Sequence, residues 1–335
     1  MPHPETMPAK RVRSGSFPER HGSAAVALLI LWVIGASFGA FRLTAQSPAQ
    51  SPAQSAGGTL PGPGTNQVLR LTGLDGHVEL PSGMVDALSE ATVEGWVRFD
   101  RLAPARFFDF GDREQSMALG LVESRPDLRF EIWDASGQRH TITASGVIAT
   151  NQWHHLAAVS GPGGMKLYVN GELVGKDGYP GSFSAIRNGR RNRLGRDNWS
   201  DNDRLQLPDT AGVMDSVAVW NRERSPAEIR GSLTRRLTGT EPGLVGWWPF
   251  DDGTARDQSR NGHHGQWVGS ARITPEPPPD RESIHPPTQI AGTITDSEGR
   301  LLPGATVRLF RGIQFLRSTV ADAAGRYRVY TTRDE

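Results

Sequence analysis

The stretch from residue 153 to residue 174 constrains the fold of this chain most. It reads WHHLAAVSGPGGMKLYVNGELV. From Met165 to Val169 apolar residues alternate with Lys166 and Tyr168, which is the two-residue period of a strand with one buried face. Asn170-Gly171 then supplies two positions that accept positive φ, as a tight hairpin turn requires. Consecutive hairpins cannot bury their apolar face alone, so the stretch predicts a second sheet packed on the first.

Runs with the same signature recur between residues 66 and 274, separated by turn residues. Their length and spacing predict an all-β sandwich of antiparallel strands, with no alternation of strands and helices. One short helix is expected after Ser225, because a serine N-cap is followed by Pro226 and by an acid in the first turn, Glu228. The tryptophans inside strand patterns are expected to pack in the core; they are Trp96, Trp153, Trp220 and Trp247.

Composition removes several classes of function. The chain has 335 residues, a net charge of +1 and no cysteine. Without cysteine there are no disulfides, no thiolate metal sites and no cysteine nucleophile. The near-zero net charge gives no reason to expect a nucleic-acid partner. A chain of this length can hold itself together by core burial alone.

The first 65 residues predict export and a membrane attachment. Residues 1–23 form a basic tail, expected to be cytoplasmic, and residues 24–45 hold an uncharged apolar run. The length of the run and the basic lead favour an uncleaved signal anchor, a single transmembrane helix; a cleaved signal peptide is the alternative. Residues 46–65 read as a Ser/Pro/Ala/Gln linker. The main domains are then expected in the periplasm or outside the cell.

Two further segments follow the predicted sandwich. Residues 275–289 are proline-rich and are expected to act as a stiff linker. Residues 290–335 contain short strand patterns joined by glycine turns, too few to close a sandwich. We expect a small, truncated β domain there, and a longer parent protein.

The main segment resembles the LamG-like family of concanavalin A-like lectin and glucanase domains. The resemblance rests on WHHLAAV and GGMKLYVNGELVG around residues 153–175, and on VMDSVAVWNRERSPAEI at residues 213–229. VLRLTGLDGHVELP, ATVEGWVRFD and LVGWWPFDDG occur in the same order as in the family. The resemblance implies a two-sheet antiparallel jelly-roll sandwich and a binding role. Residues 290–330, with GTITDSEGRLLPGATVRL, resemble the carboxypeptidase regulatory-like, Ig-type module.

Oxygen ligands are concentrated in RDNWSDNDR, residues 196–204. Carboxylate and amide oxygens suit Ca²⁺, although the spacing does not fit an EF-hand. The resemblance implies one calcium ion at the rim of the sandwich, with a second loop contributing. The predicted calcium ligands are Asp75, Asp197, Asp201 and Asp203. The alternative is a solvated acidic turn, in which these residues serve turn geometry.

Arginines and one tryptophan predict a ligand surface next to that loop. The candidate ligand-binding residues are Trp199, Arg190, Arg191, Arg193 and Arg196, with Arg187 in the same cluster. A tryptophan on a polar loop can stack on a sugar ring, and guanidinium groups suit sulfate and carboxylate. The alternatives are a tryptophan folded back on the sheet and arginines paired with the neighbouring acids.

These patterns predict a non-catalytic module that binds carbohydrate or a cell-surface protein. The sequence lacks a Gly-x-Ser-x-Gly elbow, a His-Glu-x-x-His motif and a phosphate loop. Glu131 and Asp134, the one acid pair in a strand-like run, would point to opposite faces of a strand. The alternative function is the sensing or targeting part of a larger enzyme or receptor.

Overall fold

The computed structural model describes residues 32–34, 43–45, 66–112, 114–186, 190–201, 209–279 and 284–331. Its strands in the sandwich are β3 Gln67–Thr72, β4 His77–Leu80, β5 Ala91–Phe99, β6 Ala105–Gly111, β7 Ser116–Leu121, β8 Leu128–Trp133, β9 Arg139–Ala144, β10 His154–Ser160, β11 Met165–Val169, β12 Glu172–Asp177, β13 Arg191–Leu194, β14 Ala211–Trp220, β15 Leu244–Trp248, β16 Gln266–Val268 and β17 Arg272–Pro275. The helix α1 spans Pro226–Ser232, and 3-10 turns span Phe183–Ala185 and Asn198–Asp201.

These strands form two large antiparallel sheets. The eight-stranded sheet has the order β12-β11-β10-β5-β14-β3-β17, and β15 also pairs with β14. The seven-stranded sheet has the order β16-β4-β13-β6-β7-β8-β9. The all-β antiparallel sandwich predicted from the spacing of the strands is therefore confirmed.

The apolar core lies between the two sheets. The strands send alternate residues into it. In β8, Phe130 and Ile132 are fully buried, and Glu131 between them faces the other way. Leu156 and Ala158 of β10 enter the same core from the opposite sheet. The period of two in the sequence thus decides which residues remain available on the outer faces.

The predicted hairpin closes as its sequence requires. Asn170 and Gly171 have φ angles of 50° and 77° and join β11 to β12. The Asn170 side chain also accepts a hydrogen bond from the backbone N–H of His155 at 2.8 Å. Asparagine tolerates the left-handed region because its short side chain bonds locally. The turn residue thereby also fixes β10 beside β11.

Helix α1 lies on the outer face of the eight-stranded sheet. Ser225 caps it through a capping box with Glu228, as expected. Ile229 is fully buried against Ala157, Val159 and Tyr168, which project from the side of the sheet opposite the main core. This small second cluster attaches the helix to the sandwich.

The tryptophan prediction was partly wrong. Trp220 and Trp247 are buried, but in a separate cluster with Ala218 and Leu244 on the outer face. Trp96 is buried against the ring of His155, and Trp153 precedes β10 and is half-buried. Trp248, next to Trp247, is the one that enters the main core. Adjacent residues of a strand point to opposite faces, so a Trp-Trp pair supplies both layers.

The last two strands of the sandwich return to its first two. β16 pairs with β4, and β17 pairs with β3, both antiparallel. The backbone N–H of Glu276 donates to the carbonyl of Asn66 at 3.0 Å, which brings the two ends of this unit together. Both large sheets therefore include strands from the beginning and from the end of the segment.

The remaining strands form two small sheets. They are β1 Trp32–Ile34, β2 Leu43–Ala45, β18 Thr288–Ile294, β19 Thr306–Arg311, β20 Gln314–Val320 and β21 Arg326–Thr331. The orders are β1-β19-β20 and β2-β18-β21. The Ig-type resemblance of residues 290–335 stays a prediction.

Most of the N-terminal predictions fall outside the described residues. The basic tail, the linker 46–65 and the predicted anchor 24–45 are not described, except for the short strands β1 and β2 within the anchor segment. In the described part of the chain, none of the helices has the length and apolar character needed to cross a bilayer.

Candidate functional site

Charged side chains line the outer face of the seven-stranded sheet, in register across it. Arg193 of β13 is paired in the ladder with Glu79 of β4 and with Asp109 of β6. Asp109 is opposite Ala118 of β7, which is opposite Glu131 of β8. Because residues directly opposite in a ladder point to the same face, this row crosses the sheet on the side away from the core.

Arg106 of β6 joins three carboxylates on this face. Its Nη2 lies 2.6 Å from Asp197 and 3.3 Å from Glu131, and its Nε lies 3.8 Å from Asp109. To reach Glu131 the guanidinium must pass over β7, where the outward residue between Asp109 and Glu131 is only Ala118. The small side chain on the middle strand therefore makes the bridge between β6 and β8 possible.

Burial gives this cluster unusual electrostatics. Burial, together with the nearby charge of Asp197, raises the pKa of Asp109 to about 7 in spite of the attraction of Arg106. Burial alone would lower the pKa of Arg106, but the charges of Asp197, Asp109 and Glu131 outweigh it and raise the pKa. The guanidinium stays charged and holds the acids together.

Asn198 attaches the 3-10 turn Asn198–Asp201 to this face. Its backbone N–H donates to Asp109 Oδ2 at 3.1 Å, and its Nδ2 donates to Asp109 Oδ1 at 3.0 Å. The same Nδ2 lies within 3.4 Å of the carbonyls of Gly111 and Arg191. The turn is thus held on β6 and β13 by one fully buried side chain.

Two tryptophans flank the cluster. Trp199 follows Asn198 directly and is 37% exposed, so it is not folded into the core. Trp133 ends β8 on the outer face, and the Arg139 guanidinium lies 5.5 Å from the centre of its ring. Arg139 also pairs with Glu131 at 2.6 Å. We call this surface the outer-face site; its residues are Arg106, Asp109, Glu131, Trp133, Arg139, Asp197, Asn198 and Trp199.

The structure brings only some of the predicted ligand residues to this surface. Arg193 is in the charged row and is buried, Arg191 is half-buried two ladder positions away, and Arg190 next to Arg191 is exposed. Arg196 forms an ion pair with Asp209. That pairing matches the alternative in which the arginines neutralise neighbouring acids.

The predicted calcium ligands are only partly described. Asp75 is exposed and accepts a hydrogen bond from the backbone N–H of Ser270, and bonds from Ser270 lower its pKa. Asp197 is paired with Arg106. The side chain of Asp201, and Asp203 altogether, lie outside the described residues. Within the described ranges no three acidic or histidine side chains are arranged to hold a metal ion, and calcium binding stays a prediction.

Sequence reasoning missed most of the outer-face site. Arg106, Asp109 and Arg139 were not singled out, and Glu131 was considered only for catalysis. A signal was present in LRFEIW, residues 128–133, where Arg129, Glu131 and Trp133 alternate with buried residues. Such alternation identifies an outward face, but the partners on β6 and in the 3-10 turn are distant in sequence.

Residues 72–230 match the family model of the concanavalin A-like lectin/glucanases superfamily. No curated protein matches the sequence.

Among solved structures, a Bacteroides ovatus protein proposed to bind carbohydrate is 19% identical, with 64% of this chain and 61% of that chain covered and a TM-score of 0.49. The sialidase module CBM40 of Ruminococcus gnavus bound to α2,3-sialyllactose is 14% identical, with 50% and 97% covered and a TM-score of 0.42. Domains LG4-5 of the mouse laminin α1 chain are 16% identical, with 54% and 48% covered and a TM-score of 0.39.

This chain thus spans less than two thirds of the Bacteroides protein. The family match covers strands of both large sheets, including the hairpins and helix from which the resemblance was drawn. The resemblance to concanavalin A-like lectin and glucanase domains is therefore confirmed over residues 72–230.

Proposed function

We propose that this protein binds carbohydrate on the outer-face site and does not act on it chemically. The observation that carries the proposal is the pair of tryptophans around a rigid polar centre. Trp133 of β8 is two strands away from Gly111 of β6. Asn198 holds the 3-10 turn that includes Trp199 against Gly111. Neighbouring strands are about 4.8 Å apart, so Trp133 is roughly 10 Å across the sheet from Gly111, beside the turn that carries Trp199.

That spacing supports an oligosaccharide as the ligand. Aromatic rings offer apolar faces on which sugar rings stack, and the arginines between them offer donors for hydroxyl or acidic groups. Arg139 lies over Trp133 and is itself about one-third exposed. The charged centre beneath is fixed by Arg106, so the surface is preorganised and little ordering accompanies binding.

The acids of the site support binding without catalysis. Both oxygens of Asp109 accept hydrogen bonds from Asn198, and its side chain is 2% exposed. The oxygens of Glu131 are held by Arg106 and Arg139. A general acid or base must come within hydrogen-bond distance of the substrate. Acids enclosed by internal partners in this way are suited to positioning rather than proton transfer.

A glycan array probed with the full chain tests this proposal. Trp133→Ala and Trp199→Ala should each weaken binding about fivefold or more, because one stacking contact on an aromatic side chain is worth about 1–3 kcal/mol where nucleobases stack on it. Trp267→Ala is the matched control, since Trp267 is 47% exposed at the β16 edge of the same sheet. Binding that survives both site variants, or turnover of a bound glycan, contradicts the proposal.

The proposal includes display of the domain outside the cell on the segment 24–45. Its support is the uncharged apolar run with a basic lead. Membrane fractionation with alkaline extraction tests this: the chain should stay with the membrane, whereas a fully soluble chain contradicts attachment.

A cell-surface protein is the other candidate partner. The other candidate function is to target or sense for a larger enzyme or receptor of which this module is a part.

A further inference from the structure

A cavity lies on the outer face of the eight-stranded sheet, on the other side of the sandwich from the outer-face site. It has a volume of about 710 Å³ and lies between α1 and the segment that leads to β15. Small-molecule sites commonly have volumes of this order. A smaller cavity of about 30 Å³ adjoins it; both are lined by Ser232, Arg235, Arg236 and Leu237. The smaller one has room for about one water molecule or one hydroxyl group.

A buried carboxylate, that of Glu94, lines the small cavity, and only one of its two oxygens accepts hydrogen bonds from described residues. Glu94 Oε1 accepts hydrogen bonds from Trp220 Nε1 at 3.0 Å and from Ser232 Oγ at 3.2 Å, and it pairs with Arg224. Glu94 Oε2 has no hydrogen-bond partner in the described part of the chain, and His155 Nε2 lies 3.7 Å from it. A buried acceptor without a donor is costly.

A buried donor lines the same cavity. Trp247 is 6% exposed, and its indole Nε1 has no acceptor among the described residues. Indole N–H can only donate, and an ionised carboxylate can only accept. A hydroxyl group does both, so one hydroxyl placed in the small cavity would satisfy Glu94 and Trp247 together.

The larger cavity is rich in guanidinium groups. Arg222 pairs with Glu228 at 2.6 Å, Arg224 with Glu94, and Arg236 with Asp251. Arg235 is exposed, lines both cavities and forms no ion pair with any described residue. The planar fork of a guanidinium suits a carboxylate.

We propose that this cavity binds an acidic monosaccharide. One ring hydroxyl would lie between Glu94 and Trp247, and the carboxylate would lie on Arg235. The site is separate from the outer-face site, which lies on the other sheet, so the proposal does not depend on the proposed function. The volume, the complementary pair of unpartnered polar atoms and the unpaired guanidinium are independent observations that agree on a ligand of this class.

The test measures binding of glucuronate and of glucose to the full chain by calorimetry, with tryptophan fluorescence as a second signal. Glucose keeps the ring hydroxyls and lacks the carboxylate. Glucuronate should bind at least tenfold more tightly than glucose, and Arg235→Ala should remove that difference, because a hydrogen bond to a charged group contributes about 1.5–3 kcal/mol. Trp247→Phe keeps the aromatic ring without the N–H and should weaken both ligands about threefold to tenfold.

Arg230→Ala is the matched control, since Arg230 is an exposed arginine of α1 that does not line either cavity. The affinity of the Arg230→Ala variant for glucuronate should equal that of the unmodified chain. The proposal is overturned if the unmodified chain binds no glucuronate at millimolar concentration, if Arg235→Ala binds it as tightly as before, or if Trp133→Ala abolishes the binding instead. Arg235 is on the surface, so its replacement keeps the test meaningful even where Trp247→Phe fails to fold.

Discussion

At the scale of single residues, the outer-face site depends on one cation. Arg106 lies within 4 Å of three carboxylates and is itself largely buried. Buried charges are tolerated only when they are paired, and an acid left without its partner is strongly destabilising. The guanidinium is therefore the reason that a polar sheet face can be covered by the 3-10 turn that carries Trp199.

A second buried acid makes the stability of the protein depend on pH. Burial raises the pKa of Asp215 to about 6, although Ser216 and Asn66 donate hydrogen bonds to it. The folded state thus holds this proton more tightly than the unfolded state, whose pKa is 3.8. The stabilisation it gives is complete below pH 3.8 and is lost as pH rises through 6, a loss of about 3 kcal/mol.

Asp215→Asn should remove that dependence. Relative to the unmodified protein, its free energy of unfolding should rise by about 2–3 kcal/mol on going from pH 4 to pH 7, so the variant becomes the more stable of the two. Urea unfolding at the two pH values measures this difference. Glu298→Gln, a change at an exposed acid, serves as the control. Its free energy of unfolding should change between the two pH values by the same amount as that of the unmodified protein. Parallel curves for Asp215→Asn itself would show that folding does not raise the pKa of this carboxyl.

At the scale of elements, helix α1 is specified locally. Ser225 Oγ accepts from the Glu228 N–H at 3.3 Å, and the Glu228 carboxylate accepts from the Ser225 N–H at 2.8 Å. Arg222, paired to Glu228 at 2.6 Å, lowers the pKa of that acid to about 2. The helix is short, so this start and the burial of Ile229 are its main supports.

Ser225→Ala should destabilise the fold by about 1 kcal/mol, because the Glu228 N–H loses its side-chain acceptor and the Glu228 carboxylate loses the Ser225 hydroxyl donor. Ser225→Thr retains the hydroxyl acceptor and should cost clearly less. Urea unfolding gives the free energy of unfolding of both variants. Circular dichroism at 222 nm is a poor probe of this helix, because the protein consists mostly of strands. Equal losses for the two variants would indicate that packing, rather than the cap, is what Ser225 provides.

The sequence alone was sufficient to predict individual elements, but not which residues of different elements meet at the outer-face site. The hairpin at Asn170-Gly171 and the start of α1 are local patterns of a few residues, and the structure confirms both. The outer-face site depends on contacts such as Asp109 with Asn198, 89 positions apart in the chain. Local periodicity says which face a residue is on, but strand order and register decide which residues meet there.

At the scale of the whole molecule, the sandwich and the C-terminal strands share a buried contact. Arg317 of β20 donates from Nη1 to the carbonyl of Gly146, which follows β9, at 2.6 Å, and to the carbonyl of Tyr330. The ring of Tyr330 belongs to the main core cluster. Asn170 Nδ2 donates to the His285 carbonyl at 2.8 Å on the same side. These contacts hold the C-terminal strands on the sandwich.

Arg317→Ala should loosen this contact without unfolding the sandwich, because two buried carbonyls lose a charged donor. Hydrogen exchange should rise in peptides around Gly146 and in β21, and peptides of β5 should stay protected. Arg308→Ala, an exposed change in the neighbouring strand β19, should leave all three regions unchanged. Unchanged exchange in β21 of the Arg317 variant would mean that the contact carries little of the attachment.

The way in which β16 and β17 return to β4 and β3 has a consequence for biosynthesis. A ribosome releases the chain from its N-terminus, and the first strands of both layers emerge long before residues 266–275. Until then β3 and β4 each lack a neighbour, and an open strand can pair with other chains. Truncation before residue 266 should therefore favour aggregation. A protease that removes residues 266–275 should likewise expose the edges of β3 and β4, the first strands of the sandwich to be synthesised.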